Sequence, residues 1–382
     1  MSEYQYYEFQ AIDKPLDKKD IQALENLSSR ARITPTSFVN EYNWGDFRGN
    51  PLKLMEKYFD AFLYVANWGT HRLMLRVPRR LINVDLIKEY CIGGSAAVYE
   101  KGEYLILEFT SETDDYEWEE GEGGLSSLIS LRSDIISGDC RCLYLAWLYC
   151  LQMDEIDEEE LEPPVPPNLG DLNAPLKSFV DFMRIDTDFI VVAAENSSFK
   201  DGQAEHQNEL RAWINNLPEK EKDEILFRMV KGHDPHLGIE LMQRFQQTAS
   251  VEDSYTTGEK LRTVEDLMTK AEAYAAERKR RIAEQKAEER ARKKLHEAIA
   301  RKKYLKDLAK REDKVWRKIN DLIKTKRQTN YDEAVKLLLD LRDLSKKINN
   351  ETIFEDKMRS IYEKHSRKPS LIRRLKNAGL AG

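Results

Sequence analysis

Alternation of apolar and polar side chains predicts strands in the first 110 residues. The alternating segments lie at 4–11, 70–77 and 104–109, and in the first of them Tyr7 and Phe9 fall on the same side. Such alternation is typical of strands that place one face on a core. A sheet is therefore expected in this part of the chain.

Apolar residues at spacings of three and four predict helices in the same region. Residues 18–27 form a short helical pattern. Asn50 followed by Pro51 is typical of a helix start, and the apolar residues after it predict one helix that ends at Trp68. These apolar residues are Leu52, Met55, Phe59, Phe62 and Ala66.

Two more helices are predicted at 125–136 and 140–153. The second is apolar nearly all round, which is typical of a buried helix. Together with the strands, these helices indicate an α+β domain over residues 1–153.

An acidic and proline-rich segment, 154–170, predicts a linker after this domain. Proline cannot occupy the interior of a helix, and closely spaced prolines stiffen an extended chain. Helical periodicity returns beyond it, so a small helical module is predicted over 171–250.

A long charged helical arm is predicted over 251–328. No Gly or Pro occurs from 259 to 326, and strong helix formers dominate this stretch. Acidic residues precede basic ones at i,i+4, and each such pair adds about 0.2–0.5 kcal/mol to an isolated helix. The pairs are Glu288–Arg292, Glu289–Lys293, Glu297–Arg301, Asp307–Arg311 and Asp313–Arg317.

The last residues, 329–382, predict a C-terminal helical hairpin. An apolar stripe along its first helix should pack on another apolar surface, either a docked partner or the helix over 353–365. The stripe contains Leu337, Leu338, Leu341 and Leu344. The whole chain is thus expected to have an α+β N-terminal part and to be mainly α overall.

Charge is distributed unequally along the 382 residues, of which 34% are charged, with a net charge of −7. Residues 1–250 contain 25 Lys and Arg against 45 Asp and Glu, whereas residues 251–382 contain 36 against 23. A basic end on an acidic chain indicates either an anionic partner or attraction between the two parts.

Two basic groups are candidate binding sites. Clusters of Lys and Arg in the arm could neutralise phosphates of a nucleic acid, although a solvated helix has the same composition. Arg72 and Arg76, in the strand over 70–77, could hold an anion or pair with acidic groups of their own domain. The candidate nucleic-acid contacts are Arg280, Arg281, Lys293, Lys294, Lys302 and Lys303.

No recognised catalytic motif occurs in the sequence. Phosphate-binding loops and the HExxH and GxSxG motifs are absent, and the four cysteines lack the spacing of a zinc site or a disulfide framework. This favours a protein without enzymatic activity, cofactor or metal. No membrane-length apolar run and no signal peptide occur, so we expect a cytoplasmic protein without a membrane partner.

Two segments resemble bacterial protein families. The tail, with Asn330-Tyr331-Asp332-Glu333-Ala334 and Ile372-Arg373-Arg374-Leu375, resembles the C-terminal helical region of bacterial SWIM zinc-finger proteins over about 55 residues. This implies an appendage that contacts protein or nucleic acid, but the cysteine and histidine finger of that family is missing here. The opening, with Tyr4-Gln5-Tyr6-Tyr7-Glu8-Phe9, is similar to a group of bacterial proteins of no known activity.

These observations favour a non-catalytic bacterial interaction protein that docks an unknown protein partner through its arm and tail. A nucleic-acid-binding protein that uses the basic arm is the first alternative. An enzyme with an anion site at Arg72 and Arg76 is the second.

Overall fold

The structure is a computed structural model and describes five stretches of the chain, which are 4–113, 123–199, 206–232, 234–248 and 262–380. The chain divides into two compact units, Met1–Glu277 and Arg278–Gly382.

An antiparallel sheet of seven strands forms the centre of the first unit among its described residues. The strands are β1 (Gln5–Gln10), β2 (Arg32–Ile33), β3 (Ser37–Tyr42), β4 (Ala61–Ala66), β5 (His71–Pro78), β6 (Ala96–Lys101) and β7 (Tyr104–Ser111). Their order across the sheet is β2-β3-β1-β4-β5-β7-β6.

Helices cover this sheet and continue beyond it. They are α1 (Lys18–Glu25), α2 (Pro51–Lys57), α3 (Val84–Tyr90), α4 (Gly124–Leu128), α5 (Ser130–Ile136), α6 (Arg141–Gln152), α7 (Ala174–Met183), α8 (Thr187–Ala194), α9 (His206–Asn216), α10 (Glu219–Lys231) and α11 (Leu237–Thr248). The long helix α12 (Val264–Ala309) starts in the first unit and continues into the second.

The sheet is buried on both faces. Aromatic side chains fill the core under α1 and α2, where the ring centroids of Phe9 and Phe62 lie 4.4 Å apart. The opposite face packs on α3 to α8 and on the start of α12. Helix α6 lies in this second core with ten buried residues in a row, as its all-round apolar pattern predicts.

The Asp60 carboxylate, fully buried just before β4, binds groups from several elements. Its Oδ1 accepts hydrogen bonds from Nη2 and Nε of Arg76 at 2.8 and 3.2 Å, and its Oδ2 accepts from the backbone N–H groups of Ile12 and Asp13 at 2.7 and 2.9 Å. Arg132 Nη2 lies 3.6 Å from Oδ1. A buried charge is tolerated when its partners are this complete.

Asp13 extends this network to His236, the residue before α11. Its two carboxylate oxygens accept hydrogen bonds from Arg132 at 2.9 and 2.6 Å, and Oδ2 lies 3.0 Å from Nε2 of His236. Burial by itself raises the pKa of Asp13, but the hydrogen bonds from His236 and Arg132 outweigh it and lower the pKa to about 2.

Residues 162–169 of the predicted linker 154–170 are buried or half-buried in the structure, whereas most of 154–161 is exposed. Leu161 forms a β-bridge with Thr263, and Glu162 is only 4% exposed. Arg262 donates to both oxygens of Glu162 at 2.7 Å, and the hydroxyl of Tyr144 also donates to this carboxylate. The contacts with Arg262 and Thr263 attach the start of α12 to the first unit.

The unit boundary accordingly differs from the predicted domains. Leu176 and Phe179 of α7 are buried in the same core as the sheet, so residues 171–250 do not form a module separate from 1–153. The structure divides the chain after Glu277 instead. The predicted arm, 251–328, and hairpin, 329–382, are divided differently as well, because residues from Arg278 onward form one unit.

The single helix predicted between Pro51 and Trp68 is wrong in its second half. Helix α2 ends at Lys57, and residues 61–66 form β4, which pairs with β1 and β5 on its two sides. Both faces of β4 are buried, so its apolar residues do not alternate with polar ones, and spacing alone cannot separate such a strand from a buried helix.

The second unit is helical and contains the remainder of α12. Its other helices are α13 (Glu312–Lys324), α14 (Gln328–Lys347), α15 (Glu351–His365) and α16 (Pro369–Asn377). Ile319, Leu338, Leu371 and Leu375 are fully buried at its centre. The predicted fold class, an α+β N-terminal part in a mainly α chain, is confirmed.

Replacing Arg76 by Met removes the main partner of the buried Asp60. Loss of one partner from a buried ion pair costs about 3–5 kcal/mol, so we expect Arg76→Met to lower the free energy of unfolding by that amount in urea titrations. Arg32→Met is the control, because Arg32 pairs with Glu41 at the surface, where a lost pair costs less than about 1 kcal/mol. Equal losses in both variants contradict this account.

The low pKa of Asp13 makes stability depend on pH. Because the folded pKa lies below the unfolded one, the carboxylate stabilises the fold above about pH 4, and this contribution disappears as the pH falls towards about 2. The difference in free energy of unfolding between wild type and Asp13→Asn should therefore be large at pH 5 and shrink between pH 4 and 2. A difference that persists at pH 2 rules out this role for Asp13.

Candidate functional site

A stretch of α12 in the second unit is exposed on every side. Each residue from Lys279 to Ala300 is exposed, whereas Leu305 and Leu308, farther along the helix, are buried in the core of this unit. The stretch is helical because it contains strong helix formers and no Gly or Pro. Its side chains are therefore available for contact.

The exposed stretch is strongly basic. Residues 278–303 contain twelve Lys and Arg against four Glu, which gives a net charge of +8 with His296 neutral. At about 1.5 Å per residue, these residues extend over about 39 Å. We call residues 278–303 the basic stretch.

The predicted i,i+4 ion pairs do not form in the basic stretch. Among the described residues, Lys293 forms no ion pair with Glu289 and Arg292 none with Glu288, whereas Arg280 and Glu284 lie 3.6 Å apart. Arg301, at the end of the stretch, pairs instead with Asp340 and Asp343 of α14. Most of the cations thus keep their charge exposed to solvent.

Four of these cations lie on one side of the helix. Lys279, Lys286, Arg290 and Lys293 are separated by seven, four and three residues, and such spacings return to the same side of a helix with about 3.6 residues per turn. We call them the first basic face. Lys279 and Arg290 have no carboxylate at three or four residues on either side, so no acidic neighbour one turn away weakens their field.

Arg281, Arg292 and Lys303 form a second basic face, at spacings of eleven residues. Two carboxylates lie one turn from each of the first two arginines, Glu277 and Glu284 for Arg281, and Glu288 and Glu289 for Arg292. Neighbouring carboxylates reduce the positive potential. The second face should therefore attract an anion less strongly than the first.

The six residues predicted to contact nucleic acid do not share one side of the helix. Lys293 belongs to the first basic face, Arg281 and Lys303 belong to the second, and Arg280 pairs with Glu284. Lys294 and Lys302 are exposed between the faces. The prediction overlooked Lys279, Lys286 and Arg290 because it followed adjacent cations in the sequence, whereas the signal for a face is spacing by seven, four and three.

Arg72 and Arg76 both bind groups of the first unit. The Arg76 guanidinium donates to Asp60 and to the carbonyl oxygens of Met55 and Glu56 at 3.1 and 3.0 Å, and it lies 4.6 Å from the ring centre of Tyr104. Nε of Arg72 donates to Glu108. These contacts agree with the second interpretation of the sequence, in which the two arginines pair with groups of their own domain. An anion site at Arg72 and Arg76 stays a prediction.

The leucine stripe of α14 is part of a core. Leu338 is fully buried and Leu341 and Leu344 are each 2% exposed, while Leu337 is half-buried. They pack with residues of α15 and α16, among them Met358. The leucines therefore pack inside the second unit, as one of the two sequence-based alternatives expects, and only Leu337 retains some exposure for a partner.

The described residues give little support to a metal site, a nucleophilic thiol or a membrane-spanning helix. No group of three or more His, Cys, Asp or Glu side chains there is placed to hold a metal ion. Burial raises the pKa of the Cys91 thiol to about 12 and that of Cys142 well above its usual range, and a protonated thiol is a poor nucleophile. None of the described helices combines the length and apolar character that crossing a bilayer requires.

Comparisons with protein-family models, curated proteins and solved structures give no significant match. The resemblances of the opening and of the tail to bacterial families stay predictions.

The burial of the α14 leucines can be tested by truncation. Replacing a fully buried leucine by alanine costs about 2–5 kcal/mol, so we expect Leu338→Ala to speed amide hydrogen exchange throughout α14. Leu295→Ala is the matched control, because Leu295 is 61% exposed on α12 and its truncation should change stability by less than about 0.5 kcal/mol. Unchanged exchange in Leu338→Ala contradicts the assignment of this leucine to the core.

Proposed function

We propose that the protein binds nucleic acid through the basic stretch of α12, by contacts with phosphates that do not depend on base sequence. The observation that carries this proposal is the net charge of +8 on 26 consecutive residues whose side chains are nearly all exposed. Cations that neutralise phosphates release condensed counterions, and this release supplies most of the free energy of sequence-independent binding.

The dimensions of the first basic face suit a phosphate backbone. Lys279 and Lys293 are fourteen residues apart, so the face extends over about 21 Å at about 1.5 Å per residue. Double-stranded DNA carries about one phosphate charge per 1.7 Å of its axis. A face of this length therefore lies in the field of several phosphates when the helix lies on a duplex.

The apolar residues of the basic stretch favour nucleic acid over a lipid surface. A helix that lies on a membrane needs a continuous apolar face. Leu295 and Ile299 are one turn apart, but Ile282 lies about 100–140° away around the helix, and the remaining apolar residues are alanines. The basic stretch has no such face.

The geometry supports nucleic-acid binding better than the other two expected functions. Docking through the tail would need Leu338, Leu341 and Leu344 at the surface, and they are buried. An enzyme site at Arg72 and Arg76 would need guanidinium groups that are not committed to carboxylates of the fold. The basic stretch requires no rearrangement before it meets a ligand.

Salt dependence tests the proposal quantitatively. With four cations on phosphates and a contribution of about −0.9 from each, the logarithm of the binding constant should fall against the logarithm of the salt concentration with a slope of about −4. We expect the double variant Lys279→Gln with Arg290→Gln to reduce this slope to about −2, measured by fluorescence anisotropy on a labelled 20-base-pair duplex. Glutamine keeps the helix propensity and removes the charge.

The double variant Arg281→Gln with Arg292→Gln is the matched control. It removes the same charge at the same spacing of eleven residues, but from the second basic face, so the slope should stay close to about −4. An equal loss of salt slope in the two double variants shows that only net charge matters. It contradicts the assignment of the phosphate contacts to the first basic face. No binding by wild type at 50 mM salt contradicts the proposed function.

A further inference from the structure

Helix α10 in the first unit presents apolar side chains to solvent. None of its residues is buried, and Leu226, Phe227, Met229 and Val230 are 56%, 61%, 62% and 85% exposed. A surface helix ordinarily turns such residues towards the core. Contiguous exposed apolar side chains of this kind mark interaction surfaces.

The polar side of α10 faces the rest of the unit instead. Arg228 donates to both carboxylate oxygens of Glu240 in α11, at 3.1 and 2.9 Å, and also to Asp234. Arg244 of α11 donates to Glu221 of α10. Helix α10 is therefore attached to α11 by ion pairs.

Arg80, in the turn after β5, supports this orientation. It donates to Glu240 at 2.8 Å and to Asp234 at 3.3 Å, so the carboxylates that bind Arg228 also bind the segment after β5. Rotation of α10 to bury Leu226 and Phe227 would break the pairs of Arg228 and Glu221. The apolar side chains thus remain outside for as long as these ion pairs last.

We propose that this apolar face is an interface with a second copy of the chain, in which the two α10 helices pack antiparallel. The interface is defined by Leu226, Phe227 and Val230, which lie within about one turn on the outward side of the helix. Packing against the same face of another copy removes all three side chains of both copies from water.

Charged residues beside the apolar face favour a second copy of the chain as its partner and an antiparallel arrangement of the two α10 helices. Asp223 precedes the face and Lys231 follows it, and each lies four residues from Phe227. In an antiparallel pair centred on Phe227, Asp223 of one copy therefore lies opposite Lys231 of the other, twice. A parallel pair would bring the like charges together, and the two helix dipoles also oppose each other favourably in the antiparallel arrangement.

The test is the oligomeric state of the full-length protein without nucleic acid, measured by sedimentation velocity over a range of concentrations. The apolar face is small, so we expect a reversible dimer in the micromolar range. Phe227→Glu should raise its dissociation constant by about 30-fold, as loss of a central aromatic contact does. The variant should fold normally, because Phe227 is mainly exposed.

Two further variants identify the interface and its direction. Leu295→Glu is the matched control, because Leu295 is as exposed as Phe227 but lies on α12, and it should leave the dissociation constant unchanged. Asp223→Lys alone should weaken the dimer, and Asp223→Lys combined with Lys231→Glu should restore it.

Three results overturn the proposal. The first is a monomer at every concentration, which leaves the face to a different protein. The second is a dimer that Leu295→Glu abolishes and Phe227→Glu does not, which places the interface on α12. The third is a double charge variant that dimerises no more tightly than Asp223→Lys alone, which excludes antiparallel pairing. None of these results depends on nucleic-acid binding.

Discussion

The assembly of the first unit depends on compensation of the buried Asp60 carboxylate. Its partners come from β5, from the loop after β1 and, through Arg132, from α5. A charge without partners at such a position would cost several kcal/mol, so the carboxylate is tolerated only when the sheet, this loop and α5 are in place together. Apolar burial on the two sheet faces supplies the driving force, and this network ties the elements at one end of β4.

Arginine–carboxylate contacts attach several late segments of the first unit to early ones. Arg132 and Asp13 are 119 residues apart, Arg262 and Glu162 are 100 apart, and Arg80 and Glu240 are 160 apart. A guanidinium suits this role because it binds both oxygens of a carboxylate in one plane. In α10 the same chemistry holds a helix by its polar side, and this leaves its apolar side chains exposed to solvent.

The sequence predicts the strands at 5–10, 71–78 and 104–111 and the helix α6, because local spacing decides them. It fails at β4, where burial on both faces removes the alternation, and it does not show that 162–169, within the predicted linker, are packed. Only tertiary structure reveals that Glu162 meets Arg262 a hundred residues later. Likewise, the sequence predicts the basic charge of α12 but not which carboxylates remain unpaired.

The small number of ion pairs within the basic stretch decides how it acts on a ligand. Had all four glutamates closed i,i+4 pairs with cations, the helix would be stabilised by about 0.2–0.5 kcal/mol per pair, and the paired cations would be less available to a ligand. Instead, Lys293 and Arg292 remain unpaired in the described structure, and the arginine nearest α14, Arg301, is held by Asp340 and Asp343. Helix propensity maintains the stretch with little help from i,i+4 ion pairs, and most of its cations stay exposed. A phosphate backbone can then replace solvent around the cations without first breaking an ion pair, which favours association at low salt.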